Sequence, residues 1–114
     1  MRWNGGIFSI EDLRNYQPIK RMPARELYKD IEIVGPTLPA SGSVHVIQIL
    51  NILEGYDLAA MGYGSAVAIH LLAEVMKIAF ADRNAATGDP AFLDVPVDQL
   101  TSKIYADERH ALIS

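Results

Sequence analysis

The spacing of apolar residues changes several times along the chain, and each change marks an element. From Val44 to Glu54 the residues Val44, Val46, Ile47, Ile49, Leu50, Ile52 and Leu53 spread almost round a helical wheel, with His45, Gln48 and Asn51 as polar breaks. A helix apolar nearly all round is buried on most sides. A chain this short has difficulty supplying that cover alone, so the pattern predicts self-association or cover from outside the segment. Gly55 ends this helix, and Tyr56 to Gly64 reads as a linker. Ser65 then caps a second long helix running to about Arg83. Its stripe is Leu71, Leu72, Val75, Ile78 and Ala79, widened by Ile69, Met76 and Phe80, while His70, Glu74, Lys77 and Ala81 mark a narrow wet face.

The remaining elements are shorter. Ser9 is an N-cap with Asp12 three residues on, which predicts a capping box and a short helix stopped before Pro18. Ile7 or Phe8 is expected to pack back across that cap. Leu27-Tyr28 and Ile31-Glu32-Ile33-Val34 flank Lys29-Asp30 and read as a hairpin, with Asp30 tolerating the turn and Ile31 and Ile33 facing a core. Gly35 to Ser43 is a loop dense in turn residues, ending in an N-cap at Ser41 or Ser43. Gly88-Asp89-Pro90 is a turn, Pro96 opens a helical turn through Leu100, and Thr101 or Ser102 caps a last helix from Lys103 to about Ile113. The fold class is helix-rich α+β, a short β-hairpin with four to five helices.

Composition narrows the function classes. The chain has 114 residues, half of them apolar and 21% charged, which excludes disorder and allows one modest core. Its net charge of −4, with both signs interspersed, argues against a nucleic-acid partner. With no cysteine there is no disulfide, thiolate metal site or thiol nucleophile. No apolar run approaches the roughly 20 residues needed to cross a bilayer, so no membrane span is expected. Met1 to Gly6 has no apolar signal core.

The candidate chemistry is sparse. Asp82, Asp89 and Asp94 are available carboxylates, but spacing alone pairs none of them across a scissile bond. His45, His70 and His110 fall on separate elements, and no HExxH places two of them at ligand spacing. Gly62-Tyr63-Gly64-Ser65-Ala66 approaches a nucleophile elbow but breaks the pattern on both sides of the serine. Arg21 and Arg25 flank Pro23 and form a candidate anion clamp, with ordinary surface charge as the alternative. The Gly35 to Ser43 loop lacks both the Lys-Ser/Thr pair of a P-loop and the glycine triplet of a dinucleotide site.

A series of motifs in one order resembles the γ-glutamyltransferases (γ-glutamyltranspeptidases). Gly5-Gly6-Ile7-Phe8-Ser9 with Glu11-Asp12-Leu13 and Asn15-Tyr16 is similar to the family's Gly-Gly-x-x-(Thr/Ser)-x-x-Asp-Leu-x-x-Tyr opening. Gln48-Ile49-Leu50-Asn51-Ile52-Leu53-Glu54 resembles its Gln-x-Leu-Asn-x-Leu-Glu helix. His70-Leu71-Leu72-Ala73-Glu74, Lys77, Ala79-Phe80-Ala81-Asp82-Arg83, Gly88-Asp89-Pro90, Val95-Pro96, Leu100, Tyr105 and Arg109 follow in family order. Two departures stand out: Gly35 to Ser43 replaces the family's Pro-Pro-Pro-Ser-Ser-Gly-Gly run, and Asp30 stands where the turn commonly has Gly.

The resemblance implies a segment of an N-terminal-nucleophile hydrolase, a four-layer αββα sandwich whose precursor cuts itself before a threonine. That threonine takes up the γ-glutamyl group of glutathione or a related amide and passes it to water or an acceptor, without metal or organic cofactor. Residues 1–114 then correspond to a single, incomplete domain segment in the later part of the large subunit, with the rest of that subunit and the small subunit as partners. The threonine motif falls beyond the matched region and the carboxylate-binding arginine before it. Thr37, Thr87 and Thr101 match no part of the nucleophile motif. No catalytic, cofactor-binding or metal residue is therefore assigned, and the segment is expected to be inactive alone. The alternative is a free-standing, non-catalytic homodimeric module of the same fold. The family is often periplasmic or extracellular, but this chain carries no signal that fixes a compartment.

Overall fold

A computed structural model describes residues 2–113. Met1, at the head of the stretch read for an export signal, lies outside the described residues, as does Ser114. After a single 3-10 turn at Arg2–Asn4 the elements are α1 (Ile10–Asn15), β1 (Ala24–Tyr28), β2 (Ile31–Gly35), α2 (Gly42–Leu53), α3 (Leu58–Met61), α4 (Ala66–Ala86), α5 (Val97–Leu100) and α6 (Lys103–His110). The class is as expected, with six α-helices and one two-stranded antiparallel sheet among the described residues. The additional helix is α3, in the stretch read as a linker: Asp57 caps it, its side chain accepting from the Ala60 amide.

Helix α2 is the axis of the molecule. The hairpin, α4, α5 and α6 all pack on it. One core joins Ile52 and Leu53 to Leu71, Val75 and Ala106, and a second joins Val44 to Leu100 and Tyr105. The shortage of cover expected for α2 is largely made good within the segment, with Val46 left 49% exposed. Val44, Ile47, Ile52 and Leu53 are buried within this chain, because α4, α5, α6 and the hairpin surround α2 on several sides. The three polar breaks, His45, Gln48 and Asn51, are buried as well.

The capping expectations hold at three helices. Ser9 and Asp12 form the reciprocal capping box of α1. Ser65 accepts from the Ala68 amide at the start of α4, and Ser102 accepts from the Tyr105 amide at the start of α6. Ser41 occupies the N-cap of α2 but makes no cap bond; its hydroxyl accepts instead from Arg83 Nε at 3.2 Å. Pro96 sits at the N-cap of α5 rather than inside it. Helix α4 runs three residues past Arg83, because Asn84, Ala85 and Ala86 continue the helix until Thr87 and Gly88 end it.

The hairpin pairs Tyr28 with Ile31 and Ala24 with Gly35. Lys29 takes the positive φ of the turn, at 53°, which leaves Asp30 free of that demand. Ala24, Glu26, Tyr28, Ile33 and Gly35 are half-buried and share one face. Ile31 shares it but is exposed, correcting its expected core position: it sits at the turn end of the strand. Gly35 is required by close approach, since a Cβ there would lie 2.7 Å from the Ser43 Cβ at the start of α2.

Residues 3–22 form an arm whose side chains are exposed except at Ser9. The radius of gyration is 18.3 Å, against about 13 Å for a compact domain of this length. Ile7 is exposed and does not fold back across the α1 cap, whereas Phe8 and Leu13 line one surface hollow beside it.

Candidate functional site

The concentration of polar chemistry lies where α2, α4 and α6 meet. Asp82 is on the buried side of α4, one helical row on from Val75 and Ile78. Its Oδ2 accepts from Gln48 Nε2 at 2.6 Å and from the Tyr105 hydroxyl at 2.8 Å. Its Oδ1 accepts from Arg109 Nη2 at 3.3 Å, and Arg109 also donates to the Tyr105 oxygen and lies over the Tyr105 ring. On the far side, the Gln48 carbonyl faces His45 Nδ1 at 3.0 Å. One carboxylate therefore ties three helices together.

A second cluster fixes the hairpin to the same helices. Lys103, the first residue of α6, donates to Glu54 Oε2 at 2.5 Å, to Asn51 Oδ1 at 2.7 Å and to the Leu27 carbonyl at 2.6 Å. Glu54 Oε1 accepts from the Lys29 amide at 2.6 Å, so the left-handed turn residue is held by the end of α2. Asn51 donates to the Thr101 carbonyl at 2.7 Å. All three donors of the ammonium are thus used, and both carboxylate oxygens of Glu54 are occupied.

The electrostatics make these groups holders rather than reagents. Burial pushes the Tyr105 hydroxyl above its ordinary value, with the Arg109 guanidinium opposing and the Asp82 carboxylate reinforcing the shift. It stays protonated at neutral pH and is no base. The Tyr105 hydroxyl bond raises Arg109 further above its already high value. The Lys103 ammonium, with the Lys29 amide, holds the Glu54 carboxyl below the usual carboxylate range. Asp82 accepts from three donors on α2 and α6, so its oxygens are engaged in holding the helices.

The other candidates are dispersed. Asp89 accepts from the Ala91 amide in its turn, and Asp94 is exposed beside a hollow that Arg21 also lines. Arg25 pairs with Glu32 at 2.8 Å on the exposed face of the hairpin, so no anion clamp with Arg21 forms. Ser65 serves as the cap of α4, and the Thr87 and Thr101 hydroxyls donate to the Arg83 and Val97 carbonyls. His70 is exposed and Glu74 pairs with Lys77, at i,i+3, rather than with His70. His110 stacks on Tyr56 with ring centroids 4.3 Å apart. The sequence reading missed the inward roles of Gln48, Asn51, Tyr105 and Lys103; the available signal was an acidic residue, Asp82, on the apolar stripe of α4.

The arrangement defines a class: a helical scaffold segment whose polar residues lock elements together. The gamma-glutamyltranspeptidase family model matches residues 1–114, and the chain belongs to that family. It is 57% identical over 114 residues to the acylase ACY 1 proenzyme of Pseudomonas sp. (strain V22), covering all of this chain and 20% of the relative. It is 43% identical over 106 residues to the glutathione hydrolase proenzyme of Escherichia coli (strain K12), covering 93% of this chain and 18% of the relative. The chain therefore spans about a fifth of the length of these curated relatives. The crystal structure of Helicobacter pylori gamma-glutamyltranspeptidase superposes with a TM-score of 0.96 at 44% identity, over all of this chain and 33% of that one. The Pseudomonas nitroreducens gamma-glutamyltranspeptidase complexed with L-DON gives 0.94 at 36% identity, over all of this chain and 35% of that one. The motif residues Gln48, Asn51, Glu54, Asp82, Arg83, Tyr105 and Arg109 all make the structural contacts described above.

Proposed function

We propose that residues 1–114 are a load-distributing segment of the large subunit of an enzyme that removes or transfers an acyl group from an amide, with the γ-glutamyl group of glutathione and related amides as donor. The observation that carries this reading is the use of the family's motif residues as interhelical ties: Asp82, and Glu54 through Lys103, hold elements and leave no free nucleophile–base pair among themselves. The nucleophile and the group that binds the substrate carboxylate are supplied outside the segment. The names of the relatives, an acylase and glutathione hydrolases made as proenzymes, support an amide donor and a processed precursor. The segment alone is inactive, and its partners are the remainder of the large subunit and the small subunit.

The test is release of chromophore from a γ-glutamyl anilide, measured on purified residues 1–114 and on the longer polypeptide that contains them. The longer polypeptide is expected to turn over and the segment to match a heat-treated blank. Turnover by the segment above that blank would refute the proposal.

A further inference from the structure

The chain's four asparagines sit in four different settings, and one of them is open to attack by its own backbone. Asn51 lies inside α2, where its carboxamide donates to the Thr101 carbonyl at 2.7 Å and accepts from Lys103 Nζ at 2.7 Å. Asn84 lies inside α4, where the amide of the next residue belongs to the helix. Asn15 ends α1 and precedes Tyr16, whose amide donates to the Asp12 carbonyl at 3.1 Å. Asn4 differs on every count. It closes the single 3-10 turn Arg2–Asn4 and lies in the exposed arm. The next residue is Gly5, with φ at +72° and nothing within 4 Å of the position a Cβ would take. A glycine has no side chain to shield its own amide nitrogen and adopts conformations closed to other residues. A 3-10 turn also has poorer hydrogen-bond geometry than an α-helix, and an isolated exposed turn opens at little cost.

We propose that Asn4-Gly5 is a site of spontaneous modification, at which Asn4 is converted in water to aspartate and isoaspartate. The Gly5 amide nitrogen, once it has given its proton to solvent base, attacks Cγ of Asn4. The new N–Cγ bond closes a five-membered succinimide ring. The Cγ–Nδ2 bond breaks, and the nitrogen takes a proton from water and leaves as ammonia. A water molecule then opens the ring. Addition at Cγ restores the ordinary backbone with an aspartate side chain. Addition at the Asn4 main-chain carbonyl carbon passes the chain through Cβ and Cγ and leaves the α-carboxylate as the side group. In sum, a carboxamide and water give a carboxylic acid and ammonia, with water as the only co-reactant. Each product adds one negative charge to the chain's −4. That charge appears next to Trp3, which lines the hollow of the arm with Phe8, Ile10 and Leu13. The step uses no part of the acyl-transfer chemistry and stands independently of the proposed function.

The test follows the longer polypeptide that contains residues 1–114 during warm incubation at mildly alkaline pH. Samples are digested in acid, and each asparagine peptide is followed by mass. The Asn4 peptide is expected to convert at least about ten-fold faster than those of Asn15, Asn51 and Asn84. It should give two products of equal mass that chromatography separates, together with a one-charge acidic band on isoelectric focusing. Asn4→Gln should abolish the products and the band, because the longer side chain closes the ring far more slowly. The thermal melt of that variant should be unchanged, since position 4 is exposed. Conversion at Asn4 no faster than at Asn15 overturns the proposal, which is the result expected if the rest of the polypeptide clamps the arm. An acidic band that persists in Asn4→Gln overturns it as well.

Discussion

Removing the Asp82 carboxylate tests whether the interhelical node holds the segment together. In Asp82→Ala the Gln48 amide, the Tyr105 hydroxyl and Arg109 lose their shared acceptor at once. The Asp82 side chain is 14% exposed and that of Arg109 31%, so water rescues Arg109 in part but not the other two donors. Breaking a buried pair by removing one partner costs about 3–5 kcal/mol, and the 3.3 Å contact of the half-exposed Arg109 argues for the lower end. We therefore expect a loss of about 3 kcal/mol. At about 4 °C per kcal/mol for a chain of this length, that is a fall of roughly 12 °C in Tm. Urea unfolding followed by far-UV circular dichroism measures it, with the exposed Asp94→Ala as reference at less than about 0.5 kcal/mol. Tyr105→Phe should cost about 1 kcal/mol alone and clearly less in the Asp82→Ala background, where its acceptor is gone and only the bond from Arg109 is left to lose. If Asp82→Ala is no worse than Asp94→Ala, or if the two changes add, the node does not tie α4 and α6 to α2.

Gly35→Ala forces a methyl group into the Ser43 side chain and should destabilise by about 1–3 kcal/mol, whereas Gly42→Ala meets nothing within 4 Å and should stabilise slightly; paired thermal melts decide. The pH profile should fall at both ends. Glu54 has a lowered folded pKa, so its contribution is present above its unfolded value of about 4.3 and is lost as pH falls through the folded one. Tyr105 and Tyr56 are raised by burial, so theirs is present below about pH 10 and is lost as pH rises through their folded values. Urea midpoints across that range should show both limbs, with the acid limb flatter in Glu54→Gln; an unchanged acid limb in that variant would remove Glu54 as its source.

Much of this architecture was legible in the residues. The alternation at Ile31 to Val34, the caps at Ser9, Ser65 and Ser102, and the breadth of the α4 stripe all reflect local rules that act within a few residues. Helix α3 was hidden because four residues carry too little periodicity to register against Gly62 and Gly64. The polar node was hidden for another reason. His45, Gln48 and Asn51 look like a solvated break on a helical wheel, and only partners 34 to 52 positions away turn Gln48 and Asn51 into interior residues. The exposed side of α4 reversed the expectation in turn. The sequence pattern placed the missing cover over α2, but most of α2 is covered, with Val46 left 49% exposed, and a larger bare apolar stripe lies on α4.

The reach of Lys103 bears on how the segment is made. Its ammonium closes on the Leu27 carbonyl, 76 positions upstream, and on Asn51, 52 positions upstream. At about 5–20 residues added per second, the hairpin and α2 wait several seconds on the ribosome before that closure is available. Until then Asn51 lacks Thr101 and Lys103, and Ile52 and Leu53 lack Ala106 as neighbour. Helix α6 is the clasp, later in chain order than every element it closes on.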